Sequence, residues 1–300
     1  MGSLRGMILV TGATGLVGGE LLGLLLAGGH EVRALVREPR RLGPSRVRVQ
    51  IALGDLAELG DAHLAKQALR GVDTVIHLAA AIRDEPKGTV GEITGLATVR
   101  LLRAAERAGV ERFVFFSALN ATTFQRTRFF RAKALAEQAV LESPLNTTVF
   151  APSIVYGPDD RWIKLQRRLA LLPVLPVAGP ARARFQPIAA ADVARCVVNA
   201  LAGEGGPQRH ELAGPQTMSY EEIARLIART AGRERPVLHV PLPFVRRGLL
   251  TLRGLVGPPV FATWEEAELM EVSMTTPRGS EDARRLGVEP RPMAEVLTQG

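Results

Sequence analysis

Glycines at 12, 15 and 18, an arginine group at 37, 40 and 41, an aspartate at 55 and a lysine at 133 are the residues whose types and spacing can do chemistry in this chain. The glycines lie in MILVTGATGLVG, residues 7–18, with Ile8, Leu9, Val10 and Thr11 before them and a leucine-rich run at 20–27 after them. That order reads as buried strand, glycine turn and helix start, the context in which such glycines form a dinucleotide site. Gly12 turns the chain off the strand. Gly15, having no side chain, lets backbone N–H groups approach a pyrophosphate, and Gly18 lets helix and sheet pack closely. Thr14, Leu16 and Val17 complete the expected pyrophosphate contacts, at a helix N-terminus whose unpaired N–H groups favour negative charge. The spacing is GxxGxxG rather than GxGxxG.

The second strand ends in Arg37, where an NAD site usually carries a carboxylate for the ribose 2′-OH. A guanidinium suits a 2′-phosphate through charge-assisted, bidentate contacts. NADP is therefore expected ahead of NAD, the bland reading being that Arg37, Arg40 and Arg41 form a solvated loop. Asp55 and Leu56 follow the third strand, where a carboxylate can accept from the adenine amino group. Ala79 and Ala80 end the fourth strand with small residues that leave room for a ribose. His77 reads as a packed strand residue.

The elements that must hold these residues alternate. Strands are expected at 7–11, 30–36, 46–53, 73–78, 112–117 and 146–151, and helices at 20–27, 61–70, 90–108 and 125–142. Strands that alternate with helices and are apolar almost throughout indicate βαβ units and a parallel sheet covered on both faces. The expected fold class is α/β, a doubly wound parallel sheet with a small mixed α/β C-terminal lobe. From residue 152 prolines cluster and segments shorten, with helices at 190–201 and 220–231 and a strand at 237–240. Residues 1–151 are expected to form the nucleotide-binding domain. Residues 152–300 are expected to form an interleaved substrate or partner lobe that includes the last strands of the sheet.

Composition sets limits on the rest. The 300 residues suffice for one large core with a smaller lobe. No apolar run reaches the roughly 18 residues of a membrane span, and the chain runs directly into its first strand, so neither a span nor a signal peptide is expected. The single cysteine, Cys196, excludes an internal disulfide and fits a reducing, cytoplasmic compartment. The net charge of +8 is mostly arginine, since Lys66, Lys87, Lys133 and Lys164 are the only lysines. No basic run interleaved with aromatics suggests nucleic acid, and no residues are assigned to a metal. The segment 244–260, FVRRGLLTLRGLVGPPV, could lie on a membrane surface, although such helices more often pack their leucines inward. The sequence does not set the oligomeric state.

TGATGLVG, ALVR, GDL, VIHLAA, FVFFSAL, RAKALAE and APSIVYGP occur in this order. Together they resemble the extended and atypical short-chain dehydrogenase/reductase superfamily, which is built on the Rossmann fold. FQPIAAADVA, HELAGP and MSYEE are similar to the branch that includes the nucleotide-binding accessory subunit of respiratory complex I and the NmrA-like proteins. The resemblance implies NAD(P) binding, with Lys133 on the nicotinamide ribose and Pro152, Ser153 and Ile154 along the nicotinamide. It also implies a Tyr-x-x-x-Lys pair one helical turn apart, whose lysine lowers the phenol's pKa for acid–base work.

Here the lysine position holds Lys133, but the tyrosine position holds Phe129. The only tyrosines, Tyr156 and Tyr220, do not precede a lysine by four residues, so no register slip restores the pair. The usual serine position is taken by Leu119, with Ser117, Thr122 and Thr123 nearby. Lys133 and Ser117 are thus the catalytic candidates. Two functions follow: an NADP(H)-dependent oxidoreductase acting on a small carbonyl or quinone with an atypical site, or a non-catalytic nucleotide-binding module for redox sensing or assembly. Nucleotide-sugar epimerase or dehydratase chemistry ranks below both, because it generally needs the tyrosine.

Overall fold

The computed structural model describes residues 6–58, 62–203, 208–245, 247 and 264–299. Its first part runs β1 (Met7–Thr11), α1 (Leu16–Ala27), β2 (Glu31–Val36), β3 (Gln50–Leu53), α2 (Ala62–Leu69), β4 (Val72–His77), α3 (Ala97–Ala108), β5 (Arg112–Phe116), α4 (Arg128–Leu141) and β6 (Asn146–Pro152). The second part runs β7 (Val155–Tyr156), α5 (Arg161–Leu169), β8 (Leu175–Ala178), β9 (Arg184–Phe185), β10 (Ile188–Ala189), α6 (Ala190–Leu201) and β11 (Gln208–Leu212). It ends with β12 (Met218–Ser219), α7 (Tyr220–Thr230), β13 (Val237–Val240), α8 (Trp264–Leu269), α9 (Glu281–Arg285) and α10 (Met293–Thr298).

Seven strands form one sheet in the order β11-β6-β5-β4-β1-β2-β3, parallel at every pairing. The chain therefore winds outward from β1 to β3, returns to β4 beside β1, and winds outward again. The reversal puts a crevice at the carboxyl ends of β1 and β4, where open α/β sheets bind ligands.

Period-two alternation decides what each face buries. Ile8 and Val10 of β1, with Val114 and Phe116 of β5, face a core shared with Leu21, Leu22 and Leu25 of α1 and Val193 and Val197 of α6. Met7 and Leu9, with Phe113 and Phe115, face Ala65 and Leu69 of α2, Leu101 and Leu102 of α3, and Ala136 and Val140 of α4. Both faces of the central strands β1 and β5 are buried, so these strands are almost wholly apolar, whereas the edge strands β3 (QIAL) and β11 (QRHEL) are largely exposed or polar.

Several boundaries differ from the sequence expectation: α1 starts at Leu16 rather than 20 and α4 at Arg128 rather than 125. The third strand starts at Gln50 rather than at 46, because Pro39–Arg48 forms 3₁₀ turns broken at Gly43, whose φ is +57°. The helix expected over 90–108 opens with a π-helical turn, Gly91–Leu96, before α3 begins.

The C-terminal lobe is made of short pairs: β7 with β10, β9 with β12, and β8 with β13. Its core gathers Tyr156, Phe185, Ile223, Ile227 and Val296 around Leu119 and Phe130, which come from the loop after β5 and from α4. The lobe and these elements thus share one core. Most of the 244–260 segment lies outside the described residues. Among the described residues no helix is long and apolar enough to cross a membrane.

Candidate functional site

The glycine turn is fixed by contact as well as by conformation. Gly12 adopts φ +75°, and a Cβ there would come 2.7 Å from the Ala79 backbone nitrogen. A Cβ at Gly18 would come 2.2 Å from the Gly12 carbonyl oxygen. Gly15 differs: its nearest neighbour would be the same oxygen at 3.2 Å, so its missing side chain leaves space on the outer side of the turn. The Gly15 N–H donates to the Gly12 carbonyl at 2.9 Å, which closes the turn.

Gly15 is also the N-cap of α1, with no side-chain cap and no acidic residue in the first turn. By contrast Thr127 caps α4, Asp160 caps α5, and Ser219 and Glu222 form a capping box on α7. The leading N–H groups of α1 are left for an external acceptor. Thr14 and Val17 are half-buried beside them and Leu16 is exposed. A Cβ at Gly157 would come 2.9 Å from the Leu16 side chain, which places the lobe entrance next to the turn.

Asp55 sits at the far end of β3 with its side chain 7% exposed. Its Oδ1 accepts from the Ala57 N–H at 3.1 Å, whereas Oδ2 is buried without a hydrogen-bond partner. A buried orphan acceptor costs free energy until a donor reaches it, and an exocyclic amino group of adenine is such a donor. Arg37 NH1 and Lys87 Nζ each stand 3.8 Å from that oxygen, outside hydrogen-bond range. Arg37 is instead hydrogen-bonded to Glu85, and Lys87 pairs with Glu58 at 2.8 Å. Arg40 and Arg41 are exposed on the 3₁₀ segment. Sequence patterning missed Glu85 and Lys87, because nothing local in RDEPKG shows that it folds back onto β2 and β3.

His77 is a structural histidine. Its Nδ1 lies 2.7 Å from the Thr11 hydroxyl and its Nε2 lies 2.8 Å from the Thr98 hydroxyl. Thr98 donates to the Thr94 carbonyl, so Nε2 carries the proton given to Thr98, and Nδ1 accepts from Thr11. Burial, reinforced by the charge of Lys133, pushes the imidazole down to about 3 and keeps it neutral. Thr94 in turn bonds both the N–H and the carbonyl of Ala81. The chain of hydroxyls holds the Ala79–Ala80 backbone beside Gly12.

At the other end of the crevice Phe129 is half-buried, 5.5 Å from Phe130 in an edge-on contact. With Ile154 it packs on the cluster that contains Leu119 and Tyr156. Lys133 is buried beneath them. Its Nζ lies 4.9 Å from the Phe115 ring centre and 5.9 Å from that of Phe129, and it donates to the Phe116 carbonyl. Burial pushes this ammonium down to about 7, partly opposed by the Glu137 carboxylate.

Ser117 does not face the same space freely. Its hydroxyl donates to Glu137, whose other oxygen accepts from Arg209 Nε at 2.6 Å. Ser153 is likewise engaged, donating to the Met274 carbonyl at 2.7 Å and accepting from the Gln186 N–H at 3.0 Å. Pro152 is buried, and its carbonyl accepts from the Leu119 N–H. Thr122 and Thr123 are exposed. Tyr156 is fully buried; burial drives its phenol further upward, so it stays protonated and does not ionise at neutral pH.

A family model described as NAD(P)H-binding matches residues 12–204. The chain belongs to that family, within the extended short-chain dehydrogenases/reductases. The mitochondrial NADH dehydrogenase (ubiquinone) 1 alpha subcomplex subunit 9 of Arabidopsis thaliana is 28% identical over 78% of this chain; the chain spans 60% of that subunit's length. A (4-alkanoyl-5-oxo-2,5-dihydrofuran-3-yl)methyl phosphate reductase of Streptomyces griseus is 32% identical over 85% of this chain and 83% of its own. A UDP-glucose 4-epimerase from Thermus thermophilus, solved with NAD, superposes with a TM-score of 0.73 at 20% identity, covering 97% of this chain and 96% of that one. That last likeness concerns the fold. Membership supports binding of a nicotinamide dinucleotide, NAD or NADP alike. Relative to the family's Tyr-x-x-x-Lys pattern, Phe129 removes the ionisable proton and Lys133 retains the amine.

Proposed function

We propose that this protein is an NADP(H)-dependent reductase of an apolar carbonyl or quinone, with Lys133 as the acid in place of the usual tyrosine. The observation that carries the reading is Lys133: it is buried against Phe129 at the lobe side of the crevice, and its ammonium is poised near neutrality. Gly12, Thr14, Gly15, Leu16 and Val17 would hold the pyrophosphate, Arg37 the 2′-phosphate, Asp55 and Leu56 the adenine, and Ala79 and Ala80 the ribose. Lys133 and the Pro152–Ile154 backbone would border the nicotinamide. Residues 152–300 would form the substrate lobe.

When bound, NADPH would supply the hydride for an electrophilic substrate carbon. The oxygen then needs one proton, and a group acts best as general acid when its pKa is near the working pH. Lys133 satisfies that requirement, whereas the buried Tyr156 does not. Leu119 and Phe129 stand at positions expected to be polar and, with Ile154, make an apolar wall, which excludes water and suits an apolar substrate. The single, buried thiol of Cys196 suits the reducing, cytoplasmic compartment that the proposal includes.

The same Phe129 supports a second reading, a nucleotide-binding module without turnover. NADPH oxidation measured against a panel of quinones and carbonyls separates them. The reductase reading expects turnover that Lys133→Met lowers by about 100-fold or more while NADPH affinity changes little, the size typical of losing a general acid. Absence of turnover in wild type across the panel, with NADPH bound, would favour the module.

A further inference from the structure

The segment after β4 crosses the crevice. Glu85 and Gly88 exchange backbone hydrogen bonds at 2.9 and 3.1 Å, which makes a tight loop. Asp84 anchors one side of it, accepting from the Val90 N–H at 2.9 Å and pairing with Arg128 of α4 at 3.0 Å. On the other side Glu85 reaches Arg37 at the end of β2, and Lys87 reaches Glu58 after β3. Since β1 lies between β4 and β2, the loop passes over the carboxyl end of β1, where the glycine turn begins.

The charges at this crossing are not arranged as an open phosphate site. Arg37 and Lys87 face three carboxylates, those of Asp55, Glu58 and Glu85. The guanidinium that would grip a 2′-phosphate already holds an internal anion. Both partners are part-exposed, Arg37 by 50% and Glu85 by 30%, so a dianion can displace the carboxylate at modest cost. A ribose with a free 2′-OH makes no such demand. It can donate to the Glu85 carboxylate, which is held against Arg37 at the end of β2.

We propose that Glu85 is the residue that sets discrimination between NADP and NAD: it occupies Arg37, weakens 2′-phosphate binding and accepts the 2′-OH of NAD. The proposal rests on the assignment of the adenosine end to Arg37 and Asp55. Its test uses ligands that lack the nicotinamide, adenosine 2′,5′-bisphosphate and adenosine 5′-monophosphate, titrated calorimetrically into wild type, Arg37→Gln and Glu85→Gln, with apo melting temperatures as folding controls.

Arg37→Gln should remove the preference for the bisphosphate. Glu85→Gln should raise that preference by about fivefold, the scale of a part-exposed ion pair. If Arg37→Gln leaves the preference unchanged, the 2′-phosphate assignment fails and the proposal with it. If Arg37→Gln removes the preference but Glu85→Gln leaves the ratio unaltered, the assignment stands and the role of Glu85 is overturned.

Discussion

The two ends of the crevice are built differently. At the glycine-turn end the demand falls on backbone: Gly12 and Gly18 are required because any Cβ would strike main-chain atoms. At the Lys133 end the demand falls on side chains, and two of the polar groups expected there are replaced by Phe129 and Leu119. A backbone cradle is kept or lost as a whole, since it is part of the fold. A side-chain site can be rewritten one residue at a time without disturbing the sheet beneath it. Cofactor binding is therefore the sturdier inference of the two, and the chemistry is where members of one family part company.

The largest break in that comparison is Gly18→Ala. Its Cβ would meet the Gly12 carbonyl and the Ala13 backbone, so a loss of about 2–3 kcal/mol of stability and of NADPH binding is expected, as for overpacking against immovable atoms. Gly19→Ala is the internal control. Nothing lies within 4 Å of that position, and a helical alanine should be neutral or stabilise by up to about 1 kcal/mol. Thermal melts with and without NADPH read both. Equal destabilisation by the two variants would show that contact with the turn is not what requires Gly18.

His77 supports the glycine-turn end from below, and its effect is set by pH. The folded imidazole titrates near 3 against an ordinary 6.5. Between those values the unfolded chain binds the extra proton, so stability is full above about 6.5 and falls as pH drops toward 3. The loss should be roughly 5 kcal/mol over that whole window, about 2–3 kcal/mol of it by pH 4.5. Denaturant melts of wild type and His77→Gln at pH 7 and pH 4.5 measure it; a variant with the same pH slope as wild type would assign the acid sensitivity elsewhere.

Lys133 and Phe129 sharpen the other end. The folded ammonium titrates near 7 against 10.5, so folded protein binds fewer protons than unfolded chain between these values, and stability should rise with pH across them. Lys133→Met should flatten that rise. Turnover should fall as pH climbs above about 7, because the acid must be protonated. Phe129→Tyr would place a phenol one turn from Lys133 and extend activity to higher pH. A wild-type rate that stays flat through pH 9 would contradict Lys133 as the acid.

Much of this was legible in the sequence for a physical reason. Strand and helix periods, a glycine turn and a four-residue helical spacing are local patterns, so the order of elements, the Gly12–Gly18 loop and the Phe129–Lys133 pair could be read directly. Pairings between distant segments could not. The alliance of β8 with β13 joins residues more than fifty positions apart, and Arg37 meets Glu85 at a separation of 48. The engagement of Ser117 by Glu137 was hidden in the same way, since Glu137 reads as one more charged residue on a helix until Arg209 is folded against it.

Asp55→Asn is the mildest test, and it bears on the adenosine end alone. The Asn Oδ1 can still accept from the Ala57 N–H, so the apo fold should hold. An amide nitrogen would replace the orphan Oδ2 and point a donor at a donor if adenine is bound there. Affinity should fall by about fivefold, near 1 kcal/mol for one hydrogen bond lost. Both cofactors should lose affinity, NADPH somewhat less than NADH, because the charge removed also stands 3.8 Å from Arg37 and Lys87. Unchanged affinity for both in calorimetric titrations would remove Asp55 from the adenine.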